Sequence, residues 1–142
     1  MNDAVRKHLL TGGCQCGTAR YEITGEPLEL YVCHCRECQK QSCSAFGISV
    51  YFRRKDFRLT QGTVKTWSRA TDRGGTLNCA FCPNCGSRLW HQIAGEEETL
   101  SVKGGSLDQP VDLRNAVHIW TSRKLPGVII PEGAAQFRQE PE

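Results

Sequence analysis

Cys33-His34-Cys35-Arg36-Glu37-Cys38 places three thiols within six residues, in a Cys-x-Cys-x-x-Cys spacing. Two other close pairs flank this segment at a distance, namely Cys14 with Cys16 upstream and Cys82 with Cys85 downstream. Thiols at such short spacings are typical of metal-binding knuckles. Because a bound metal would have to join segments that lie far apart along the chain, we expect these seven cysteines to decide the fold.

Composition limits the class of protein. The chain has 142 residues and a formal net charge of +3, which suit one domain and a small anionic ligand. The basic residues are scattered, so a nucleic-acid partner is not expected. No stretch approaches the ~20 apolar residues of a membrane span, and residues 1–10 lack the apolar core of a signal peptide. We therefore expect a cytoplasmic protein whose nine cysteines bind metal or stay reduced rather than forming disulfides.

Short strand patterns separated by Gly, Pro and Asp turns predict a mainly β fold. Ala19, Tyr21 and Ile23 alternate with polar residues, as in a half-buried strand. A second strand over 28–32 leads directly into Cys33. The polar stretch 39–44 has room for one short helical turn.

These patterns indicate a single domain of short antiparallel strands over residues 11–130. Residues 1–10 are expected to form a flexible lead-in. The segment 131–142 is expected to be a frayed polar tail.

The spacing of the middle cluster suits one metal ion. On an extended segment Cys33 and Cys35 lie on the same face, with Cα atoms ~6.6 Å apart from the strand rise. Two sulfurs on a tetrahedral zinc lie roughly 3.8 Å apart, so inward-leaning side chains can reach it, and Cys38 can follow past a short turn. The same geometry directs His34 to the other face, where we expect it to pack or to line a pocket. His8, His91 and His118 are expected to be surface or core residues.

Seven thiols divide into a group of four and a group of three. Four thiolates close a zinc site and make it structural, whereas three leave a position for an incoming thiol, which would bind as thiolate. Arg36 and Lys40 flank the middle cluster and could offset its negative charge. Cys43 or Cys79 could instead supply a fourth sulfur and close the second site. In that case the protein would be a non-catalytic, zinc-stabilised protein-binding module.

Several stretches resemble the glutathione-dependent formaldehyde-activating enzyme family, which includes centromere protein V. The resemblance covers roughly residues 11–127, and its most specific parts are the three cysteine motifs in this order. The stretches that carry it are Gly13-Cys14-Gln15-Cys16-Gly17, Cys33-His34-Cys35-Arg36-Glu37-Cys38-Gln39-Lys40, Phe81-Cys82-Pro83-Asn84-Cys85-Gly86, Gly105-Ser106-Leu107-Asp108-Gln109-Pro110, His118-Ile119-Trp120 and Ser122-Arg123-Lys124.

The resemblance implies a zinc-stabilised β-tent fold with two zinc ions per chain. By the same resemblance, Cys14, Cys16, Cys82 and Cys85 hold a structural zinc, and the catalytic zinc lies on Cys33, Cys35 and Cys38. The implied activity is that of a carbon–sulfur lyase resembling S-(hydroxymethyl)glutathione synthase. The expected substrate is a small thiol–aldehyde adduct, with glutathione as a possible co-substrate. From their charge, Arg36, Lys40 and Lys124 are candidates to hold substrate carboxylates.

Overall fold

A computed structural model describes residues 9–141 and shows the mainly β architecture that the sequence predicts. Its strands are β1 (Leu10–Gly13), β2 (Arg20–Ile23), β3 (Glu29–Cys33), β4 (Gly47–Arg53), β5 (Phe57–Gln61), β6 (Lys65–Ala70), β7 (Thr76–Phe81), β8 (Arg88–Ile93), β9 (Thr99–Lys103) and β10 (Val117–Ile119). One α-helix, α1 (Arg36–Ser42), and the 3-10 turns Arg54–Asp56, Gly104–Ser106 and Thr121–Arg123 complete the described elements. Within residues 9–141, no helix is long and apolar enough to cross a membrane.

The strands form two sheets. The smaller has the order β1-β2-β5, and the larger has the order β10-β3-β4-β9-β8-β7-β6. Neighbours are antiparallel except β10 and β3, which run parallel with Ile119 opposite Cys33. The predicted antiparallel character is confirmed for the other strand pairs. The exception runs parallel because the chain returns to β3 only after a long connection.

The hydrophobic core lies between the two sheets. The alternation of Ala19, Tyr21 and Ile23 is confirmed, since all three side chains are buried. They pack with residues from the larger sheet, including Phe52 and Val102. Burial of one face of each sheet is what stabilises such a two-layer domain.

The other face of the larger sheet carries a row of polar and reactive side chains. Because side chains alternate along a strand, residues directly opposite one another across strands share a face. Ser101 on β9 is opposite His91 on β8, and His91 is opposite Cys79 on β7. Cys79 is in turn opposite Trp67 on the edge strand β6. This face, rather than the core, meets the helix α1.

Both ends of the domain differ from expectation. Strand β1 begins at Leu10, inside the expected lead-in, and residues 1–8 of that lead-in lie outside the described residues. The expectation of a frayed tail is wrong. The His118 N–H donates to the Ala135 carbonyl (2.9 Å), and the Phe137 N–H donates to the His118 carbonyl (2.8 Å). The tail is polar in composition, yet its backbone extends the pairing along β10.

Candidate metal centres

Four sulfurs from two distant turns meet at one point. Cys14 and Cys16 follow β1, Cys82 and Cys85 follow β7, and the four Sγ atoms lie within 4.8 Å of one another. The Cys14 and Cys16 sulfurs are 3.5 Å apart, and those of Cys16 and Cys82 are 3.8 Å apart. Sulfurs bound to a tetrahedral zinc at ~2.3 Å would lie roughly 3.8 Å apart. The donor set therefore fits a closed tetrathiolate site.

The turn after β7 is built to present its sulfurs. The Gly86 N–H donates to the Cys82 carbonyl (2.9 Å), and Gly86 has a φ of +82°, which glycine adopts without strain. The backbone N–H groups of Asn84 and Cys85 point at the Cys82 sulfur, at 3.4 and 3.5 Å. Such N–H···S contacts favour the thiolate form that a metal requires. Burial and the neighbouring Cys14 thiol act in the opposite direction and leave the pKa of Cys82 raised.

Neighbouring hydroxyl groups lower the pKa of two of these four thiols. A hydrogen bond from Thr18 lowers the pKa of Cys16 to about 7, and one from Ser87 lowers the pKa of Cys85 to about 7. Both thiols are therefore substantially ionised at neutral pH. Fewer protons must then leave when a divalent cation binds.

The second cluster has three sulfurs, from Cys33, Cys35 and Cys38, within 4.8 Å of one another. Cys33 ends β3 and is buried, while Cys35 and Cys38 are half-buried. Cys35 is the N-cap of α1, and its sulfur accepts a hydrogen bond from the Cys38 N–H (3.3 Å). The strand end and the capped helix thus aim three thiols at one point.

These three thiols cannot all ionise without a cation. Hydrogen bonds from Cys33 and Cys38 lower the pKa of Cys35, whereas hydrogen bonds with Cys35 and Cys38, together with burial, raise the pKa of Cys33. Ionisation of Cys35 therefore makes ionisation of Cys33 less favourable, because the two negative charges would lie close together. A divalent cation would remove that repulsion, so the cluster could hold a metal ion.

His34 lies outside the sulfur cluster, on the face that its position between two cysteines predicts. It is completely buried, and its Nε2 lies 2.9 Å from Nδ1 of His118, with the rings stacked. Burial lowers the pKa of His34 to about 4. His34 is therefore a neutral packing residue behind the site.

Neither spare cysteine joins a cluster. Cys43 is exposed after the end of α1, and its thiol contacts the Lys40 carbonyl at 3.4 Å. Cys79 is buried on β7. Neither sulfur belongs to a group of ligand atoms within 4.8 Å of one another, so the middle cluster has three sulfurs among the described residues.

A cavity of about 220 Å³ opens beside Cys38, between α1 and the polar face of the larger sheet. Of the three cations predicted to hold carboxylates, Lys40 lines it, whereas Arg36 is exposed on the helix and does not. The Lys124 ammonium already donates to the Val128 carbonyl (2.6 Å). The full lining is Glu37, Cys38, Lys40, Gln41, Trp67, Arg69, Leu77, Cys79, Arg88, His91 and Lys103.

Sequence reasoning missed Arg69, Arg88 and Lys103 as members of this cavity. Each lies on a different strand, β6, β8 or β9, and no local motif marks it. The only signal in the sequence is the alternation Leu100-Ser101-Val102-Lys103, which puts a lysine on the face opposite the core. That signal becomes useful only once the strand neighbours are known.

Comparison with known proteins agrees with the geometry. The model of a protein family described as glutathione-dependent formaldehyde-activating enzyme matches residues 9–123. A crystal structure of a Rhodobacter sphaeroides protein is similar in fold, with a TM-score of 0.56 and 24% sequence identity. That alignment covers 73% of this chain and 92% of the other. A search of curated protein sequences gave no match.

Proposed function

Because the chain belongs to the glutathione-dependent formaldehyde-activating enzyme family, we propose that it makes or breaks a carbon–sulfur bond in the adduct of a small thiol with an aldehyde. The observation that carries this proposal is the three-sulfur cluster of Cys33, Cys35 and Cys38, which leaves a tetrahedral ion one position for substrate. In the forward direction the substrate sulfur attacks the aldehyde carbon. The C–S bond forms as the C=O double bond becomes single, and the thiol proton ends on the new hydroxyl.

The proposal includes two zinc ions per chain. Thiolate sulfurs are soft ligands, and all-sulfur tetrahedral sites favour zinc among the common divalent metals. Cys14, Cys16, Cys82 and Cys85 would hold the structural ion. An ion on Cys33, Cys35 and Cys38 would supply an electrophilic position at which a substrate thiol is held as thiolate.

The residues around the open position have separate roles in this scheme. Cys33, Cys35 and Cys38 carry three negative charges against two on the ion, so an incoming thiolate would make the site doubly negative. Lys40 at the cavity edge supplies compensating charge. His34 and His118 support the strand behind the sulfurs and take no proton at neutral pH, since burial lowers the pKa of both.

Glutathione is the thiol that the family description names, and we include it as the proposed co-substrate. The proposal also places the protein in the cytoplasm. All nine cysteines are free of disulfides, and a reducing compartment would keep them available for metal.

The test is the variant Cys35→Ser, with Cys43→Ser as the matched control on the same helix segment. We expect Cys35→Ser to lose one zinc and the turnover of every thiol–formaldehyde adduct that the native protein handles. Cys43→Ser should keep two zincs and full turnover. Turnover is followed by carbon NMR of labelled formaldehyde, zinc by elemental analysis, and folding by circular dichroism. Full turnover by Cys35→Ser would refute the proposal.

X-ray absorption of the zinc-loaded protein gives a second, independent test. We expect one zinc with four sulfurs and one with three sulfurs and a light ligand, which glutathione sulfur displaces. Two all-sulfur zincs in the protein without added thiol would mean that Cys43 or Cys79 closes the second site.

A further inference from the structure

The cavity beside Cys38 is strongly cationic. Lys40, Arg69, Arg88 and Lys103 line it, against one carboxylate, Glu37. Glu37 lies 3.7 Å from the Arg69 guanidinium and can balance only that charge. Within residues 9–141, the other three cations form no ion pair with a carboxylate.

Lys103 is the most unusual of these cations. It is only 9% exposed, and its ammonium has one described hydrogen-bond contact, to the Ser49 hydroxyl at 3.4 Å across the β4–β9 pair. A buried ammonium without a carboxylate partner is costly, because desolvation is not offset by pairing. The negative charges that act on Lys103 are the thiolates of Cys38, Cys33 and Cys79. Val102, the preceding residue on β9, packs in the core on the opposite face of the sheet. The Lys103 side chain therefore lies on the cavity face. A carboxylate in the cavity would give Lys103 a partner of opposite charge in addition to these thiolates.

Arg88 forms the wall of the cavity together with Trp67. Its guanidinium lies 5.2 Å from the centre of the Trp67 ring, a cation–π contact that holds the planar group in place. Trp67 is 48% exposed on the edge strand β6, so the pair lies near the solvent side. A fixed guanidinium can bind a carboxylate through two parallel hydrogen bonds.

His91 lines the same cavity. Burial and the neighbouring Lys103, Arg69 and Arg88 charges keep the pKa of His91 well below 6.5. The imidazole is therefore neutral at neutral pH, and the positive charge of the cavity comes from lysine and arginine.

We propose that this cavity binds a carboxylate of the thiol substrate, with Lys103 and Arg88 as the anchoring residues. The substrate class is then a thiol that carries a carboxylate a few bonds from its sulfur, which reaches from the open position beside Cys38 into the cavity. The volume of about 220 Å³ lies below the ~300 Å³ at which pockets for whole drug-sized ligands begin, so it takes one end of a peptide-sized thiol. This inference rests on the proposed function, because it assumes that the sulfur is held at Cys33, Cys35 and Cys38.

The experiment compares two thiols of equal size that differ in charge, mercaptopropionate and mercaptopropionamide, by calorimetric titration of the zinc-loaded protein. We expect the carboxylate to bind about tenfold tighter, the value of one charge-assisted contact. Lys103→Met and Arg88→Met should each reduce that ratio toward one. Lys55→Met removes an exposed charge that does not line the cavity and should preserve the ratio.

Two further measurements make the outcome decisive. If Lys103→Met fails to fold, the test uses Arg88→Met and Lys103→Arg instead. Lys103→Arg keeps the positive charge and should keep the preference for mercaptopropionate over mercaptopropionamide. Equal binding of the two thiols by the native protein, or an unchanged ratio in both charge-removing variants, would overturn the inference.

Methylthiopropionate has a carboxylate but no thiol, so its affinity measures carboxylate binding in the cavity alone. Its binding therefore tests this inference separately from the proposed function. If its binding depends on Lys103 while no adduct is ever turned over, the carboxylate site stands and the proposed function fails. If adducts of both thiols are turned over with no charge preference, the proposed function stands and the carboxylate site fails.

Discussion

Gly47→Ala should weaken the three-sulfur site without touching the four-sulfur site. Gly47 begins β4 and lies close to Cys38 and Gln41 of α1. A methyl group placed there would be 3.1 Å from Cys38 Cβ, 3.4 Å from Cys38 Sγ and 2.9 Å from the Gln41 side-chain amide. The amide can swing away, but Cys38 is fixed by the helix. The helix can pack so closely on the strand only because residue 47 has no side chain.

The size of the effect follows from these distances. The contact with Cys38 Cβ is about 0.3 Å shorter than the 3.4 Å at which ordinary contacts begin. Metal–ligand distances tolerate only about ±0.2 Å, so Cys38 would be displaced from good coordination. We expect a loss of about 10- to 100-fold in zinc affinity at this site, comparable to the loss of an outer-shell contact. Overpacking should also lower the free energy of unfolding by about 1–3 kcal/mol.

The assay is competition for zinc with a chromophoric chelator, which distinguishes a weakly bound zinc from a tightly bound one. We expect the weakly bound ion at the three-sulfur site and the tightly bound ion at the four-sulfur site. Gly105→Ala is the matched control, because a methyl group there meets nothing within 4 Å. Only Gly47→Ala should shift the weaker ion, and neither variant should shift the tighter one. If both alanine variants release zinc like the native protein, the packing argument for Gly47 is refuted.

Further predictions concern the closed site and the core. Cys82→Ser should lose the structural zinc and most of the ordered structure by circular dichroism. Metal binding is worth about 10–16 kcal/mol, which is comparable to the whole stability of a typical domain. A native-like melting curve would contradict this. Tyr21→Phe should lower the free energy of unfolding in urea by about 1 kcal/mol, because it removes a buried hydrogen bond. The Tyr21 hydroxyl lies 2.6 Å from the Ser106 hydroxyl oxygen, and Ser106 donates its own proton to the Lys103 carbonyl. An unchanged urea midpoint would count against that bond. Burial raises the pKa of Tyr21 to about 12, so the folded state holds its proton longer than the unfolded state, and stability should fall as pH rises from about 10 to about 12. The fall should be shallower in Tyr21→Phe, and equal slopes would refute the assignment.

The metal clusters were the most predictable part of this protein. Ligand spacing is local, so Cys33, Cys35 and Cys38 were expected to share one point because alternation and a short turn bring them there. The joining of the Cys14 and Cys82 knuckles came from the family resemblance, not from spacing. The strand that contains Tyr21 was predictable for the same reason. Its alternation of apolar and polar residues is a local pattern that does not depend on which strands pair with it.

The helix was only partly predicted. The sequence indicated a short helical turn over 39–44, whereas α1 runs over Arg36–Ser42. A seven-residue polar helix has no apolar periodicity and too few bonds to be stable alone. It is stabilised by the Cys35 cap and by close packing on Gly47, and only the second of these depends on the tertiary structure.

By itself, then, the sequence determined the number of thiols, their short spacings along the chain, and the β character of the strands between them. Tertiary structure decided which charges face the reactive sulfurs. Lys103, Arg88 and Arg69 share a cavity only because strands β9, β8 and β6 lie in one sheet in a particular register. Strand order and register are set by packing between residues far apart in the chain, so no local pattern can encode which lysine lies beside Cys38.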